Sequence, residues 1–337
     1  MAIDNGPHRF QMNAIYDVPA PAKLNLFLHV LGRRPDGYHL IQSAFRLIDW
    51  CDTLHFERCR SSEVSREDLN EQLPTADLIV RSAQLLQQVT GYGGGARISV
   101  VKRIPQEAGL GGGSSDAASC LITLNRLWRL GLSRTVLAEI GMRLGADVPF
   151  FIFGTDAWVE GIGERISPLS GKNALPSAQY VVLKPNSGSS TAKIFGSSKL
   201  KRDTPAATIA GFVASRFQGH LGSEAVTAVN RKPVFSNDLA DVAQSLCPDI
   251  GTALWWLASL GIHGQMTGSG SAVFAQVTSA EVSRVDAAWG SSGYPERGWR
   301  YRVCNSLQSH PLLGWSCEDD SSSAISGEAD ALSDWPE

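Results

Sequence analysis

No two of the six cysteines form a C-x-x-C pair, and no histidines cluster beside them. That scatter excludes a zinc ribbon or a dithiol redox centre. Cys51, Cys59, Cys120, Cys247, Cys304 and Cys317 read instead as isolated, reduced thiols in a cytoplasmic chain. Runs of roughly eighteen apolar residues, the length of a membrane-spanning helix, are missing as well. The opening MAIDNGPHRFQMN has no basic start followed by an apolar core, so no secretory signal is expected there. Charge is scarce, at 19% Asp, Glu, Lys and Arg, and the formal net charge is −3. Residues 318–337 hold seven acids and no Lys or Arg, so the preceding 317 residues carry +4. A mildly basic body suits a small anionic substrate. It is too weakly charged for nucleic acid, and there is no basic aromatic run to compensate.

What the sequence does have is enough apolar material, 43% over 337 residues, for about two globular domains. From residue 22 to 31, Leu24, Leu26, Leu28 and Val30 alternate with Lys23, Asn25, Phe27 and His29, which predicts a strand with one apolar face. Lys23 and Asn25 then share the other face. The segment GRRPDGYH is a turn signal, and residues 43–56 read as the returning strand. Helices are expected over 76–90, from the Ser114/Ser115 pair onward, and over 133–144. Because Pro149 biases Val148 toward extended backbone, a buried strand is expected at ADVPFFIF. After a polar stretch at 168–177, the pattern runs strand, helices, a second glycine loop at 266–275, strand, helix and strand. A polar extension over 1–17, domains over 18–176 and 177–308, and an acidic solvated tail over 309–337 complete this reading. Removing everything after Ser309 is therefore expected to leave activity unchanged.

The densest signal is IPQEAGLGGGSSDAA at 104–118, a glycine-rich loop between a predicted strand and a predicted helix. Glycines let backbone N–H groups converge on anionic oxygens, and the helix adds its positive end. It is not a P-loop, because Gly113 is followed by Ser114, Ser115 and Asp116 where a lysine is required. The dinucleotide fingerprint fails too, with Ser114 in the place of its last glycine. Protein-kinase signatures such as H-R-D are absent.

Four blocks in order, PAKLNLFLHVLGRRPDGYH, the glycine loop, GADVPFF and MTGSGSAVFA, resemble the GHMP kinases over roughly residues 18–306. Within them the match is to the branch that phosphorylates a cytidine diphosphate-linked methylerythritol. The resemblance implies an α+β, two-domain GHMP kinase fold: a domain like ribosomal protein S5 domain 2 followed by a ferredoxin-like one, with the active cleft between them. It implies ATP and Mg²⁺, with the metal ligands unknown, a small-molecule substrate and no membrane or nucleic acid. Asp147 would be the catalytic acidic residue and Lys23 its partner. Gly109, Leu110, Gly111, Gly112, Gly113, Ser114 and Ser115 would wrap the triphosphate, with Lys102 and Pro105 beside the nucleotide. Tyr38 and His39 would hold the cytosine ring, Asn25 and Thr191 the methylerythritol portion, and Gly268, Ser269 and Gly270 the diphosphate or the transferred group. Asn237 and Asp238 match a family signature but equally suit a helix cap. Gln106 and Glu107 depart from the small or apolar residues usual in that loop, and Thr267 stands where serine is commoner. Another GHMP kinase, of homoserine or mevalonate type, and a non-catalytic nucleotide sensor are the competing readings; DGYH with PAKLNL speaks against the first, and the Lys23/Asp147 pair against the second.

Overall fold

In the computed structural model, residues 12–75, 77–218 and 234–316 are described; residues 1–11 of the expected extension and 317–337 of the expected tail lie outside them. Strand β1 (Ala14–Arg33) pairs antiparallel with β2 (His39–Cys59) through the tight turn that Pro35, Asp36 and Gly37 announce. Gly37 takes φ 92°, and Asp36 Oδ1 accepts from Tyr38 N at 3.1 Å. β3 (Val64–Asp68), β4 (Gly95–Val101), β5 (Ala157–Gly161) and β6 (Arg165–Pro168) complete a six-stranded sheet of order β3-β4-β2-β5-β6, with β1 on β2.

Helices α1 (Leu78–Thr90), α2 (Gly112–Leu127), α3 (Arg134–Met142) and α4 (Val148–Phe153) contribute to a core with Phe45, Leu47, Leu54 and Phe56 of β2. Asp77 and Ser133 cap α1 and α3 by accepting from Val80 N and Val136 N. The second half has four antiparallel strands, β7 (Gln179–Lys184), β8 (Gln265–Met266), β9 (Val273–Val277) and β10 (Arg300–Asn305), ordered β10-β7-β9-β8. With α5 (Thr191–Gly196), α6 (Ile209–Gln218), α7 (Ala240–Leu246) and α8 (Pro248–Ser259) before β8, and α9 (Ser279–Trp289) between β9 and β10, this is the ferredoxin-like βαββαβ order.

Four sequence expectations change. β1 is buried on both faces, Lys23, Asn25, Phe27 and His29 included, because the second half covers the face that would otherwise meet water. ADVPFFIF forms helix α4 and not a strand: Pro149 sits in its first turn, where a missing N–H costs nothing. Helix α2 starts at Gly112 with Gly111 as its cap in the left-handed region, so Ser114 and Ser115 lie inside the first turn and do not cap it. Finally, β1 begins at Ala14, within the expected extension, and residues 310–316 pack onto the core, with His310 and Leu312 buried. Truncation after Ser309 would therefore strip a packed segment.

His310 gives that segment a pH signature. Its N–H donates to Gly154 O at 2.7 Å, its Nδ1 accepts from Leu312 N at 3.1 Å, and Nε2 has no partner. Burial pushes its pKa down to about 3. Since the folded state keeps the ring neutral while the unfolded chain takes up a proton below its ordinary value, stability is full above about 6.5 and falls by roughly 1.4 kcal/mol per pH unit below it. Thermal unfolding at pH 7.5 and 5.5 should show a steeper acid loss for the parent protein than for His310→Asn, which keeps an acceptor for Leu312. Parallel slopes would remove His310 from the account. Among the described residues, no helix is long and apolar enough to cross a membrane.

Candidate active site

The loop between β4 and α2 is held in shape by steric and hydrogen-bond constraints that its glycines satisfy. Gly109 and Gly111 both take φ 72°; a Cβ on the first would collide with Thr267 O, and one on the second would meet the Phe151 ring at 2.9 Å. The first intrahelical bond of α2 runs from Ser115 N to Gly111 O at 2.9 Å, which leaves the preceding N–H groups without helical acceptors. Those donors and the positive end of a 16-residue helix face a cavity of about 490 Å³ lined by residues 104–114, Ser189, Ser190, Thr191, Ser269 and Gly270.

The second glycine loop fixes the first. Ser271 N and Ala272 N donate to Glu107 O and Ala108 O at 3.1 and 3.2 Å. Thr267 Oγ1 accepts from Asn25 N at 2.9 Å, and Asn237 Nδ2 donates to Met266 O at 2.9 Å and Gly268 O at 2.8 Å. Asn237 thus holds the loop, while its Oδ1 accepts from Leu239 N; Asp238 accepts from Val30 N. Ser189 Oγ donates to Ser269 O at 2.6 Å, and Thr191 Oγ1 pairs with Ser269 Oγ at 2.7 Å.

Two residues expected around the nucleotide, Lys102 beside it and Ser115 at its phosphates, direct their side chains elsewhere. The Lys102 stem borders the 490 Å³ cavity, but its buried ammonium is held between Asp52 and Asp116, and Asp52 also accepts from Arg103 N and Ile104 N. Burial raises the Asp116 pKa against the pull of Lys102, and Asp52 raises it further. Burial also works against the Lys102 ammonium, yet Asp116 and Asp52 together leave it above its ordinary value. The trio is a buried brace under the loop. Ser115 is fully buried, its N–H committed to Gly111, so it does not present its side chain to the cavity.

A second cavity of about 670 Å³ adjoins the first, sharing Gly109, Gly111, Thr191 and Ser269. On the wall of the larger one, with the Lys23 stem against the shared Gly111, the Lys23 ammonium lies 3.3 Å from Asp147. Lys23 is 4% exposed: its N–H donates to Leu110 O at 2.9 Å, its ammonium donates to Asn25 Oδ1, and it lies 4.4 Å over the Phe45 ring. Asn25 is turned by Ser43, whose Oγ accepts from Asn25 Nδ2 at 3.0 Å. Asp147 stands ahead of α4, makes no capping bond, and its side chain is 33% exposed. A carboxylate there can take a proton from a bound hydroxyl, while the lysine and the loop donors neutralise developing charge.

The outer end of this cavity carries the turn residues. Tyr38 is 61% exposed, a platform open to a flat ring, and the His39 ring packs at 4.9 Å from Phe195. Asn25, Tyr38, His39, Thr191, Gly268 and Ser269 all line it, whereas Gly270 lines the 490 Å³ cavity with Pro105 and Leu110. Arg33, which lies inside the GRRPDGYH segment but was assigned no role there, also forms its wall with Ile41, Phe195 and Leu239.

Known proteins resemble this chain over most of its length. The model for the GHMP kinases N terminal domain matches residues 77–155, and that for GHMP kinases C terminal matches 228–295. A 4-diphosphocytidyl-2-C-methyl-D-erythritol kinase of Acidovorax sp. (strain JS42) is 55% identical over 304 residues, covering 90% of this chain and 99% of its own. The Paracidovorax citrulli (strain AAC00-1) protein of the same name is 51% identical, with 92% and 100% covered. A solved 4-(cytidine 5'-diphospho)-2C-methyl-D-erythritol kinase aligns with TM-score 0.70 at 31% identity over 86% of this chain and 98% of its own. A homoserine kinase from Cytophaga hutchinsonii, at 15% identity and TM-score 0.61 over 91% of this chain and 98% of its own, shares the fold.

Proposed function

The chain belongs to the GHMP kinases, in the branch of the 4-diphosphocytidyl-2-C-methyl-D-erythritol kinases, and from that premise we propose how its two cavities carry the reaction. The activity is ATP-dependent phosphorylation of an alcohol, the 2-hydroxyl of 4-diphosphocytidyl-2-C-methyl-D-erythritol, a step toward isoprenoid precursors. The observation that carries the residue assignment is the Lys23–Asp147 pair, 3.3 Å apart on the wall of the larger cavity, whose lining shares Gly109 and Gly111 with the glycine-loop cavity.

ATP phosphates lie against the N–H groups of residues 109–114 and the α2 terminus. The acceptor sugar alcohol occupies the larger cavity, its hydroxyl beside Asp147 and its cytidyl group by Tyr38 and His39. Phosphoryl transfer proceeds through a loose transition state, so positioning and charge neutralisation matter most. Asp147 accepts the hydroxyl proton as the new P–O bond completes, and Lys23 complements the charge that accumulates between donor and acceptor. Mg²⁺ would supply further charge neutralisation on the phosphates. Among the described residues no cluster of three or more His, Cys, Asp or Glu side chains is arranged to hold a metal ion, and no ligand for the Mg²⁺ is assigned. The enzyme is proposed to act in the cytoplasm, without nucleic acid or membrane.

A coupled ADP-release assay offering the diphosphocytidyl substrate, mevalonate and homoserine side by side tests the assignment. Turnover is expected with the first alone; activity confined to the other two would overturn it. Tyr38→Ala then probes base recognition. Losing one base-stacking face should raise KM for the diphosphocytidyl substrate by roughly 10-fold, on the scale of 1–3 kcal/mol per stacked base, with KM for ATP little changed. Equal shifts in both constants would place Tyr38 outside the cytidyl site.

A further inference from the structure

A guanidinium has five N–H donors and no acceptor. Arg202 Nε lies 2.9 Å from His39 Nε2, so that ring nitrogen has to be the acceptor; the imidazole is then neutral, with its one proton on Nδ1. Three more of its five donors are committed as well. Nη2 donates to Phe195 O at 2.9 Å and Ser197 O at 2.8 Å, and Nη1 to Leu200 O at 3.0 Å. Phe195 O and Ser197 O stand at the C-terminal end of α5, where carbonyls lack helical partners and a cation is favoured. Swinging Arg202 away would break all four hydrogen bonds and leave Ser197 O only its 3.3 Å bond from Leu200 N, so the fork is fixed from four sides. Its reach links the start of β2, in the first half, to α5 in the second; His39, Phe195 and Gly196 all line the large cavity, and Arg202 itself does not.

We propose that Arg202 is a positioning residue that locks His39 as the Nδ1–H tautomer, making the histidine a fixed hydrogen-bond donor toward an acceptor atom of the bound base. The proposal rests on the reading of the large cavity as the cytidyl site, because cytosine offers its ring N3 and O2 as acceptors. The surrounding charges support a ring that stays neutral. Burial, Arg202 and Arg33 all lower the His39 pKa, and the nearby carboxylate, Asp36, is engaged by Arg34 at 2.7 Å. The π face of His39 is covered by Phe195.

The test needs no substrate in its first arm. Long-range ¹H–¹⁵N spectra of the ¹⁵N-histidine-labelled full chain, with His39→Asn for assignment, should show a neutral Nδ1–H ring that takes up a proton only below the ordinary histidine value of ~6.5. In Arg202→Met, which keeps the length and loses the donors, the tautomers should mix and the ring should titrate nearer 6.5. In the second arm, Arg202→Met should raise KM for the diphosphocytidyl substrate about tenfold, the scale of one hydrogen bond, and make it pH-dependent between about 5.5 and 7. The kcat and KM for ATP should change by less than about threefold, as expected where ground-state binding alone is lost. Arg202→Lys, which retains a donor, should keep the tautomer even if Arg202→Met folds poorly. An Nε2–H ring in the parent protein, or an unchanged tautomer and a flat KM profile in Arg202→Met, overturns the proposal. Should the chain reject the cytidyl substrate, the spectra still decide the tautomer, so that failure would fall on the substrate assignment alone.

Discussion

Asp147→Asn is expected to lower kcat by about 10²- to 10⁴-fold, the span of a lost general base, with the protein folded and both KM values within a few-fold of the parent. The change is nearly isosteric, and the side chain makes no capping bond and is 33% exposed, so the fold has little to lose. What disappears is the carboxylate beside the acceptor hydroxyl. In energy this is about 3 to 5 kcal/mol of the barrier, since each 1.36 kcal/mol is tenfold. Lys23→Met should cost a comparable factor but is the less clean test. The Lys23 stem packs beneath Gly111 and its ammonium holds Asn25, so the glycine loop could shift with it. Single-turnover measurements with saturating ATP separate the chemical step from release. Retention of more than about a tenth of parental kcat by folded Asp147→Asn would sink the general-base role, because that residual is far above what the lost base predicts.

The sequence made some of this site legible and concealed the rest for physical reasons. Glycines that require positive φ announce themselves, so the loop at 109–113 and the turn at Gly37 were readable from composition alone. Alternation along β1 announced a strand. It could not say that a second domain would bury Lys23 and Asn25 on the opposite face, because that covering comes from residues near 267, far along the chain. Pro149 was ambiguous in principle, since proline is compatible both with a strand start and with the first turn of a helix. Asn237 could be read as a cap, and it does bond Leu239 N, but its bonds to the second glycine loop lie about thirty residues away and have no local signature. The same holds for Arg202, 163 residues from the histidine it meets. The resemblance put Lys102 beside the nucleotide, and the residue does line the glycine-loop cavity, but its ammonium is taken by two carboxylates with no local signature. Its two carboxylates, at positions 52 and 116, come from a different strand and from the helix beyond the loop.

That brace makes Lys102→Met the largest stability effect expected. Removing the cation leaves Asp52 and Asp116 facing each other in the interior with nothing to balance them, a type of change that costs about 3–5 kcal/mol. The fold can relieve the clash only by keeping a proton on one carboxylate. Such a group has a folded pKa above its unfolded value, so stability is present at low pH and is lost as pH rises through the folded value, at about 1.4 kcal/mol per unit. Lys102→Met should therefore unfold more readily at pH 8 than at pH 5.5 when compared with the parent by denaturant titration. Lys102→Met/Asp116→Leu should recover part of the loss. Asp52 would then keep the Arg103 and Ile104 N–H groups, which favour its charged form, and the buried like-charge contact would be gone. Because those two N–H groups begin the glycine loop and Asp116 lies in the first turns of α2, the single variant should also raise KM for ATP, although the Lys102 ammonium itself is turned to the two carboxylates. A loss below about 1 kcal/mol, inside the range of exposed pairs, would mean that the trio is not the brace that its burial implies.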